Sequence, residues 1–532
     1  MSTRNVRWQV GIRWNGSSYT DESARLISAT GNYAVNAPGT PTVAGSGIVS
    51  QCTLVLNNYD DRYSANNPAA DLYAYTNYGK YHHTWMYLNV SIDGGSNYYR
   101  IFSGVIAAMT EIGPTPGEAS TVSIDCRDFC ELYLNTRQST ATADMVTLYE
   151  SGATELDIIE QFLDDAGLAE SNYGWITHTT GVHGFDSTPE AGERGMFIIP
   201  VAWMDDESPI EECWGIAAAC GGWFYNDVWS TTQPYFRYRN ASHWALEAIS
   251  TSGPDNEIRR SLGDYQGLQL SYDHTELYKE VTVEWASRKV GSTDVVWEPE
   301  EPIVVPAAGT KTVTAAFRTP VHSLDTLSYS ASSHGGIDIS ADVSDDLASA
   351  TPYAQRLELT FTNAHATYAA VLKNVQLTGK PIEGGPEGEV TKTSDNSFWS
   401  GRVAKRRAMR SSVWVQTESH ADVLANMLMD VHEQPVAVYS LRGVKGDPQR
   451  KLGQKVRIYD SITFDTANEK AYITSMDFTL SGAGFYQNIT AMDSEAIGYR
   501  YAETDPGYFV MGTNRISINS GDAGTNRGRL FY

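Results

Sequence analysis

The stretch RIFSGVIAAMTEIGPTPGEASTVSIDCRDFCELYL, Arg100 to Leu134, is the most informative part of the chain about its fold. Two segments of alternating apolar residues flank a turn rich in Pro and Gly. In the second segment Val122, Ile124 and Cys126 alternate with polar neighbours. This period of two predicts strands with one buried face, so the two segments are expected to form a β-hairpin.

The apolar period changes after Asp125. Phe129, Leu132 and Tyr133 fall at positions i, i+3 and i+4, which predicts a short helix. Asp125 or Asp128 is placed to cap its first turn. The unit is therefore a hairpin that runs into a helix.

A similar order of segments returns near the end of the chain. KAYITSMDFTLSG from Lys470 and YQNITAMDS from Tyr486 follow the order of YRIFSGVIAAMTE and STVSIDCRD, with Asp493 expected in the place of Asp125. The repetition suggests two copies of one β-unit. Four residues of the first copy are expected in a buried core: Ile101, Val105, Val122 and Ile124.

Composition bounds the class of protein. A length of 532 residues suggests three or four domains, and 41% apolar with 19% charged residues indicates a folded chain. The 31 Tyr, 13 Trp and 45 Gly favour a β-rich protein with many turns. The net charge of −25 argues against a nucleic-acid-binding groove, although it does not exclude a surface past which nucleic acid slides.

The cysteines and the hydrophobic runs bear on the compartment. Five cysteines form no even framework and no CxxC motif, which favours buried free thiols in a reducing cytosol. The polar start of the chain predicts no signal peptide. The longest apolar run, around Met196 to Trp203, falls short of the roughly 20 residues of a membrane helix, so no membrane segment is expected.

Several helices and a further hairpin are predicted from local patterns. Apolar residues spaced for one helix face occur in 154–168 and from Glu418 to Val431. In ESPIEECWGIAAACGG, Ser208, Pro209 and Glu211 supply an N-cap, a first-turn proline and a capping-box acid. Segments 223–226 and 235–239 are expected to pair as a hairpin.

Two Pro- and acid-rich stretches, 297–306 and 380–389, are interpreted as linkers around a β-sandwich inserted into another domain. The predicted fold is mainly β with some α, containing two related β-barrel-like hub domains. The expected domains are 1–140, first β-barrel-like domain; 141–300, mixed α+β middle domain; 301–383, inserted β-sandwich; 384–500, second β-barrel-like domain with a helix; and 501–532, a C-terminal arm.

The chain shows none of the motifs that catalysis usually requires. GxSxG, HExxH, GxxxxGK[ST] and GxGxxG are absent from it. The adjacent His82 and His83 would point to opposite faces of a strand, and Cys126 with Cys130 has no second ligand pair nearby. We therefore expect no enzyme activity, no catalytic residue, no cofactor and no metal.

One basic run stands out in this acidic chain. GRVAKRRAMRS, 401–411, is more consistent with a solvated face or a contact to an acidic neighbouring subunit than with nucleic-acid binding, because it contains no aromatic platform. The candidate subunit-interface residues are Arg402, Lys405, Arg406, Arg407 and Arg410.

The order of these segments resembles the tail-tip or baseplate hub proteins, also called minor tail proteins, of tailed bacteriophages and gene transfer agents. The resemblance rests on six stretches that together span nearly the whole chain: SQCTLVLNNYDDRYSANNP at 50–68, RIFSGVI at 100–106 with TVSIDCRD, ESPIEECWGIAAACGGWFYND at 207–227, LYKEVTVEW at 277–285, TFTNAHATYAAVLKNVQLTGKPI at 360–382 and KLGQKVRIYD at 451–460.

The resemblance implies a structural virion protein made in the host bacterial cytoplasm and located at the tail tip. It implies a homotrimer in which two similar domains per subunit form a pseudo-sixfold ring. Such a ring would match a hexameric tail tube or distal tail protein above to threefold fibres or a spike below. It would also form part of the DNA ejection channel, through which phage DNA passes without sequence-specific binding.

Two alternatives remain open. Aromatic richness and the inserted sandwich are compatible with a carbohydrate-binding protein for host recognition, and a tail-associated hydrolase is less favoured because catalytic motifs are missing. If the chain is a trimer, three net charges of −25 give −75, and any part of this charge that lined a lumen would repel DNA rather than bind it.

Overall fold

The chain is described from a computed structural model. The residues described are 4–14, 18–34, 47–64, 67–68, 84–113, 120–168, 173–176, 197–227, 234–239, 257–273, 277–394, 399, 407–433, 435–460, 462, 469–493, 509–511 and 514–516.

The fold is mainly β with some α, as predicted. Strands of the first half are β1 Arg7–Ile12, β2 Thr20–Asp21, β3 Leu26–Ala34, β4 Gln51–Asn57, β5 Trp85–Ser91, β6 Tyr99–Ile112, β7 Thr121–Arg127, β8 Gln138–Ser139, β9 Tyr173–Ile176, β10 Asp205–Glu207, β11 Trp223–Asn226, β12 Phe236–Arg239, β13 Glu257–Arg259 and β14 Gly267–Asp273.

The remaining strands are β15 Glu280–Val290, β16 Asp294–Trp297, β17 Ile303–Val305, β18 Gly309–Ala316, β19 Val321–Ser333, β20 Val343–Asp345, β21 Arg356–Asn363, β22 Ala370–Thr393, β23 Arg407–Arg410, β24 Val436–Lys445, β25 Lys455–Tyr459, β26 Glu469–Ser481, β27 Gly484–Asp493, β28 Phe509–Met511 and β29 Asn514–Ile516. The α-helices are α1 Cys130–Leu134, α2 Thr142–Ser151, α3 Glu155–Asp165, α4 Pro209–Ala219 and α5 Glu418–His432. No helix in the described part of the chain is long and apolar enough to cross a membrane.

The stretch from Arg100 to Leu134 is a hairpin followed by a helix, as its periodicity predicts. Strands β6 and β7 pair antiparallel, and α1 begins at Cys130, three residues after β7 ends at Arg127. The alternation places every second side chain of β7 in the core. The four residues expected there are all at most 4% exposed: Ile101, Val105, Val122 and Ile124.

One large sheet joins the two ends of the chain. Its strand order is β14-β24-β27-β26-β3-β4-β7-β6-β5-β1-β2, with β25 also on β26 and β13 on β25. The strands before residue 130, the strands β13 and β14, and those from β24 to β27 thus share one hydrogen-bonded layer. Among the described strands no sheet closes on itself, so the barrel-like domains expected from the sequence are open sheets here.

The predicted helices and the hairpin of the middle region are confirmed. Helix α4 has Ser208 as its N-cap, whose Oγ accepts the Glu211 N–H at 3.4 Å, and Pro209 stands at its first position. Strands β11 and β12 pair antiparallel, and β9 adds to β12 in parallel. Helices α3, α4 and α5 pack into the same hydrophobic core as the large sheet.

The inserted region has a core of its own. Strands β18, β20 and β21 form one sheet, and β16, β17 and β19 pair with β22 in another. Leu357, Leu359 and Phe361 of β21 are fully buried between them. This core, from Val296 to Leu377, is separate from the main one, as expected for an inserted sandwich.

The interpretation of 380–389 as a linker was wrong. This stretch lies inside the long strand β22, paired with β15. The register shifts between Ala286 and Arg288 of β15, so that Gly385 and Pro386 together lie opposite the single residue Ser287. A proline lacks the N–H that a ladder needs, and a bulge is where a strand tolerates one. The Pro and Gly residues therefore mark a bulge rather than a break.

Candidate assembly interface

The two predicted β-units share an irregularity that fixes how they align. In the first hairpin the register shifts between Ile106 and Ala108. In the second hairpin, β26 with β27, it shifts between Ile473 and Ser475. Each shift leaves one extra residue, a β-bulge, at the same point of the strand. Ala107 therefore corresponds to Thr474, and the rest of each hairpin follows in step.

This alignment corrects the expected place of Asp493. Asp493 faces Ala471, and the residue of β6 that corresponds to Ala471 is Gly104, which lies against Asp128. Asp493 thus corresponds to Asp128 and not to Asp125. An alignment of two short sequence segments can be displaced by a few residues, because structural equivalence depends on the pairing register, which the sequence does not display.

Asp128 is a structural residue at the joint between strand and helix. Its two carboxylate oxygens accept the Ser50 N–H at 2.6 Å and the Cys130 N–H at 2.9 Å. Burial raises its pKa to about 6, and those two hydrogen bonds oppose the rise. The carboxylate therefore ties the start of α1 to the residue before β4. The N-cap of α1 is Phe129, so neither Asp125 nor Asp128 occupies the predicted capping position, although Asp128 accepts the N–H of the first helical residue.

The equivalence extends over six strands of each unit. We call β3-β4-β7-β6-β5-β1 the first β-unit and β14-β24-β27-β26-β25-β13 the second β-unit, because these orders are the same strand by strand. They differ at the last pair, where β1 runs antiparallel to β5 while β13 runs parallel to β25. The duplication suggested by two short segments therefore covers the whole sheet of each unit.

The two units meet along one pair of strands. The second half of β26, from Ser475 to Ser481, pairs antiparallel with residues 28–34 of β3. Tyr33 faces Met476 across this join, and the two side chains are 7% and 3% exposed. The join therefore covers β3, the edge strand of the first β-unit, with the half of β26 that does not pair with β25.

Each β-unit also has one edge that corresponds to an edge of this join, on β6 in the first unit and on β14 in the second. Neither edge has a strand against it in the described part of the chain. The second half of β6, from Ala108 to Ile112, pairs only with β7, and β14 pairs only with β24. Ile112 is 50% exposed, and Tyr272 of β14 is 55% exposed although its counterpart Tyr33 is buried. The molecule therefore presents two complementary open edges, each the counterpart of an edge that it covers internally; we call them the β6 edge and the β14 edge.

Sequence reasoning missed the β14 edge, although a signal for it was present. In GLQLSYD, residues 267–273, Leu268, Leu270 and Tyr272 alternate with polar residues, as they would in a strand with one apolar face. Only the alignment with β3 identifies this strand as one that lacks a neighbour.

The basic run is described only in its second part. Arg402, Lys405 and Arg406 lie outside the described residues. Arg407 and Arg410 lie at the two ends of β23, which pairs in parallel with residues 280–283 of β15. Arg410 is exposed. The structure thus places these two arginines on the sheet that carries the insertion, and it does not bring them to the β6 edge or the β14 edge by strand pairing.

The cysteines are buried free thiols, as predicted. Burial raises the pKa of Cys220, so this thiol stays protonated near neutral pH. His420 lies 3.9 Å from Cys220 Sγ, and burial lowers the pKa of His420 to about 4. A protonated thiol beside a neutral, buried imidazole is the reverse of the ion pair that an active cysteine needs. Among the described residues no three His, Cys, Asp or Glu side chains are grouped to hold a metal ion.

No family model matches the sequence, and no curated protein sequence matches it. Comparison with solved structures does find similar chains. A 43 kDa tail protein of prophage MuSo2 from Shewanella oneidensis is 12% identical, with a TM-score of 0.45, and the match covers 93% of this chain and 100% of that one. A tail protein from Neisseria meningitidis MC58 is 9% identical, with a TM-score of 0.45 and coverage of 92% and 98%.

A third similar chain is an Escherichia coli protein described as a component of the type VI secretion system with structural similarity to the T4 bacteriophage tail proteins gp27 and gp5. It is 7% identical, with a TM-score of 0.36, and the match covers 91% of this chain and 78% of that one. The structural neighbours of the chain are thus phage tail proteins and type VI secretion proteins, at low sequence identity.

Proposed function

We propose that this chain is a structural hub at the distal tip of a phage-type tail, and that it works as a homotrimer. In this role it adapts a sixfold tail tube to threefold fibres or a spike and surrounds the path of the ejected DNA. The observation that carries the proposal is the pair of complementary open edges on a duplicated β-unit. The segment order that resembles hub proteins supports the same role.

The open edges supply the means of closing a ring. Unpaired strand edges are templates for pairing with another chain. The internal join shows which strands fit, because residues 28–34 already cover the half-strand 475–481. By the same geometry β14 of one subunit covers the β6 edge of the next. Each contact is head-to-tail, and head-to-tail contacts close into a ring when the rotation between subunits allows.

A ring of three such chains contains six similar β-units. The contacts within chains and between chains would then alternate around it, giving approximate sixfold symmetry on one side. The inserted sandwich occurs once per chain and keeps threefold symmetry. This difference in symmetry is what an adaptor between a hexameric tube and a trimeric fibre requires.

The internal join also predicts the register between subunits. Ala34 faces Ser475 and Tyr33 faces Met476. The corresponding pairs between chains are Asp273 with Ala108 and Tyr272 with Met109. Residues directly opposite in an antiparallel pair have Cβ atoms roughly 4.5–5.5 Å apart, within reach of a disulfide after modest adjustment.

Cysteine cross-linking tests this register. The double variant Met109→Cys with Tyr272→Cys should form intermolecular disulfides on mild oxidation, giving dimers and a covalent trimer on denaturing gels. The five native cysteines are buried, which keeps background cross-linking low. A matched control, Met109→Cys with Gln269→Cys, shifts the second thiol by three residues, roughly 10 Å along the strand, and should not cross-link.

Two results would contradict the proposal. Equal cross-linking of the in-register and shifted pairs would show random collision rather than strand pairing. A stable monomer at micromolar concentration, measured as mass by analytical ultracentrifugation, would count against the trimer itself. Electron micrographs of assembled tails, with and without the chain, test whether it occupies the tip with threefold symmetry.

We further propose that the basic run, Arg402 to Arg410, contacts an acidic surface of a neighbouring subunit or tail protein. The run concentrates positive charge in a chain whose net charge is −25. An acidic surface on a neighbouring copy of the protein would therefore attract it. The exposed position of Arg410 at the end of β23 supports this contact.

A further inference from the structure

A cleft lined by both apolar and charged side chains lies where the two β-units and the middle region meet. It holds about 440 Å³ of empty space, including the part open to solvent. Tyr33 and Met476 of the internal join form one wall, and Asn226 and Asp227 at the end of β11 form another. The cleft is thus built from three separate parts of the chain.

Most of the charged side chains that line this cleft are cationic. Arg100, Arg450 and Lys451 line it together with a single carboxylate, Asp227, within the described part of the chain. The guanidinium of Arg237, 1% exposed, lies behind the wall and donates to Asp227 Oδ2 at 2.6 Å. In a chain with a large negative net charge, such a concentration of buried and half-buried cations calls for a specific reason.

The pKa directions agree with an excess of positive charge. Burial lowers the pKa of Lys451, and the fields of Arg237 and Arg100 lower it further against the attraction of Asp227. Burial alone would raise the pKa of Asp227, but Arg237, Lys451 and Arg239 outweigh it and hold the pKa below its usual value. Asp227 is therefore held ionised by the cations around it, and an anion in the cleft would meet the same cations.

The second observation is the amide of Asn226. Its side chain is 6% exposed, lines the cleft, and has no hydrogen-bond partner on either Nδ2 or Oδ1 among the described residues. A buried amide without partners is costly, and sites of this kind are commonly completed by a ligand or an ion. Asn226 can both donate one hydrogen bond and accept another.

We propose that this cleft binds inorganic phosphate, held between the two β-units and the middle region. The cations attract the oxyanion, and Asn226 Nδ2 donates to one of its oxygens. Phosphate still carries a proton at neutral pH, and this hydroxyl donates a hydrogen bond to Asn226 Oδ1 or to the Asp227 carboxylate. Sulfate has a similar shape but carries no proton at this pH, and neither does a phosphodiester. With either of them an oxygen of the anion would face the acceptor oxygen of Asn226 or Asp227 with no hydrogen between them.

The proposal is tested on the full-length chain by calorimetric titration and thermal unfolding in phosphate and in sulfate at equal ionic strength and pH 7. Phosphate should bind with a stoichiometry of one per chain and raise the unfolding temperature. Sulfate should bind at least tenfold more weakly. Equal responses to the two anions would overturn the proposal and would indicate a general ionic effect.

Two variants separate binding from folding. Asn226→Leu removes the unpaired amide and keeps a similar volume, so it should unfold at the same or a higher temperature without ligand but lose at least tenfold in phosphate affinity. Lys451→Gln should also weaken phosphate binding, whereas Lys311→Gln removes one exposed positive charge from the insertion and should not. An Asn226→Leu protein that binds phosphate like the wild type would exclude this site.

Discussion

At the scale of single residues, Asp128 shows how the first β-unit is held together. Its carboxylate bonds to backbone groups on both sides of the joint, at Ser50 and Cys130. Gly104 lies beside it, and a Cβ there would come within 1.9 Å of the Arg127 carbonyl oxygen. The second unit has Ala471 at the corresponding place. The two units therefore share a topology but pack this joint differently.

The raised pKa of Asp128 makes a prediction about pH. Its folded-state pKa of about 6 lies above the ordinary 3.8, so the folded protein binds this proton more tightly than the unfolded chain does. The stabilisation from this group is therefore complete below about pH 4 and is lost as the pH rises through 6. The slope approaches ~1.4 kcal/mol per pH unit between the two values.

Comparison with Asp128→Asn isolates this contribution. The variant replaces one acceptor oxygen by an amide and should be less stable by roughly 1–3 kcal/mol as a constant offset. On top of that, the stability advantage of the wild type over the variant should shrink from pH 4 to pH 7, measured by urea unfolding. Asp125→Asn, at an exposed position three residues earlier in the chain, serves as the matched control. A pH-independent difference for Asp128→Asn would contradict the assignment.

At the scale of secondary-structure elements, edges and charge decide which strands meet other molecules. Strand β3 is covered by β26, and its counterpart β14 is left open. The difference lies in connectivity alone, because one chain has only two units and therefore one internal join. An edge strand without a neighbour can pair with another chain, and the proposed ring uses this property of β14.

The basic run gives the element-scale prediction. Reversing the charges of Arg402, Lys405 and Arg406 to Glu should weaken association with neighbouring subunits by about tenfold or more at low salt, as measured by sedimentation. The loss should diminish in 0.5 M salt, because exposed ion pairs are screened there. The matched control reverses three exposed lysines of the insertion, Lys311, Lys373 and Lys380. If both triple variants assemble like the wild type, the proposed contact is wrong.

At the scale of the whole molecule, the insertion is attached as a separate body. Its core shares no residue with the main core. The strands that carry it, β15 and β22, run side by side, with Val290 facing Ile382. Its contacts to the middle region include two backbone hydrogen bonds, Thr142 N–H to the Pro352 carbonyl at 2.9 Å and Ala354 N–H to the Thr140 carbonyl at 3.0 Å. They also include a small buried cluster in which Ala354 and Ile382 pack against Met145 and Val201.

Removing the insertion should therefore leave the hub intact. Replacement of residues 291–381 by Asn-Gly, the turn that suits a two-residue hairpin, should give a protein that folds and associates as the full chain does. Loss of the two backbone hydrogen bonds costs about 2 kcal/mol, and uncovering Met145 and Val201, which pack against Ala354 of the insertion, adds to this cost. The unfolding temperature should therefore fall by more than a few degrees. Circular dichroism melting and sedimentation measure both. Failure to associate would show that the insertion takes part in the ring.

Much of the fold follows from local pattern. The alternation in β7, the capping residues of α4 and the apolar stripe of α5 predicted these elements within a few residues, because backbone geometry sets periods of 2 and 3.6 for any burial on one face. The burial of all five cysteines followed from their number and spacing. The sequence also lacks recognisable catalytic motifs, which favours a role in assembly over a catalytic one.

What the sequence alone determined, then, is the set of strands and helices and the hint of a repeat. Only the tertiary structure decided the equivalence of Asp493 with Asp128, the continuation of β22 through Pro386, the open edges at β6 and β14, and the cation-lined cleft around Asn226. The reason is physical. Side-chain periodicity is local, whereas register, strand neighbours and clefts depend on contacts between residues hundreds of positions apart, which no local pattern records.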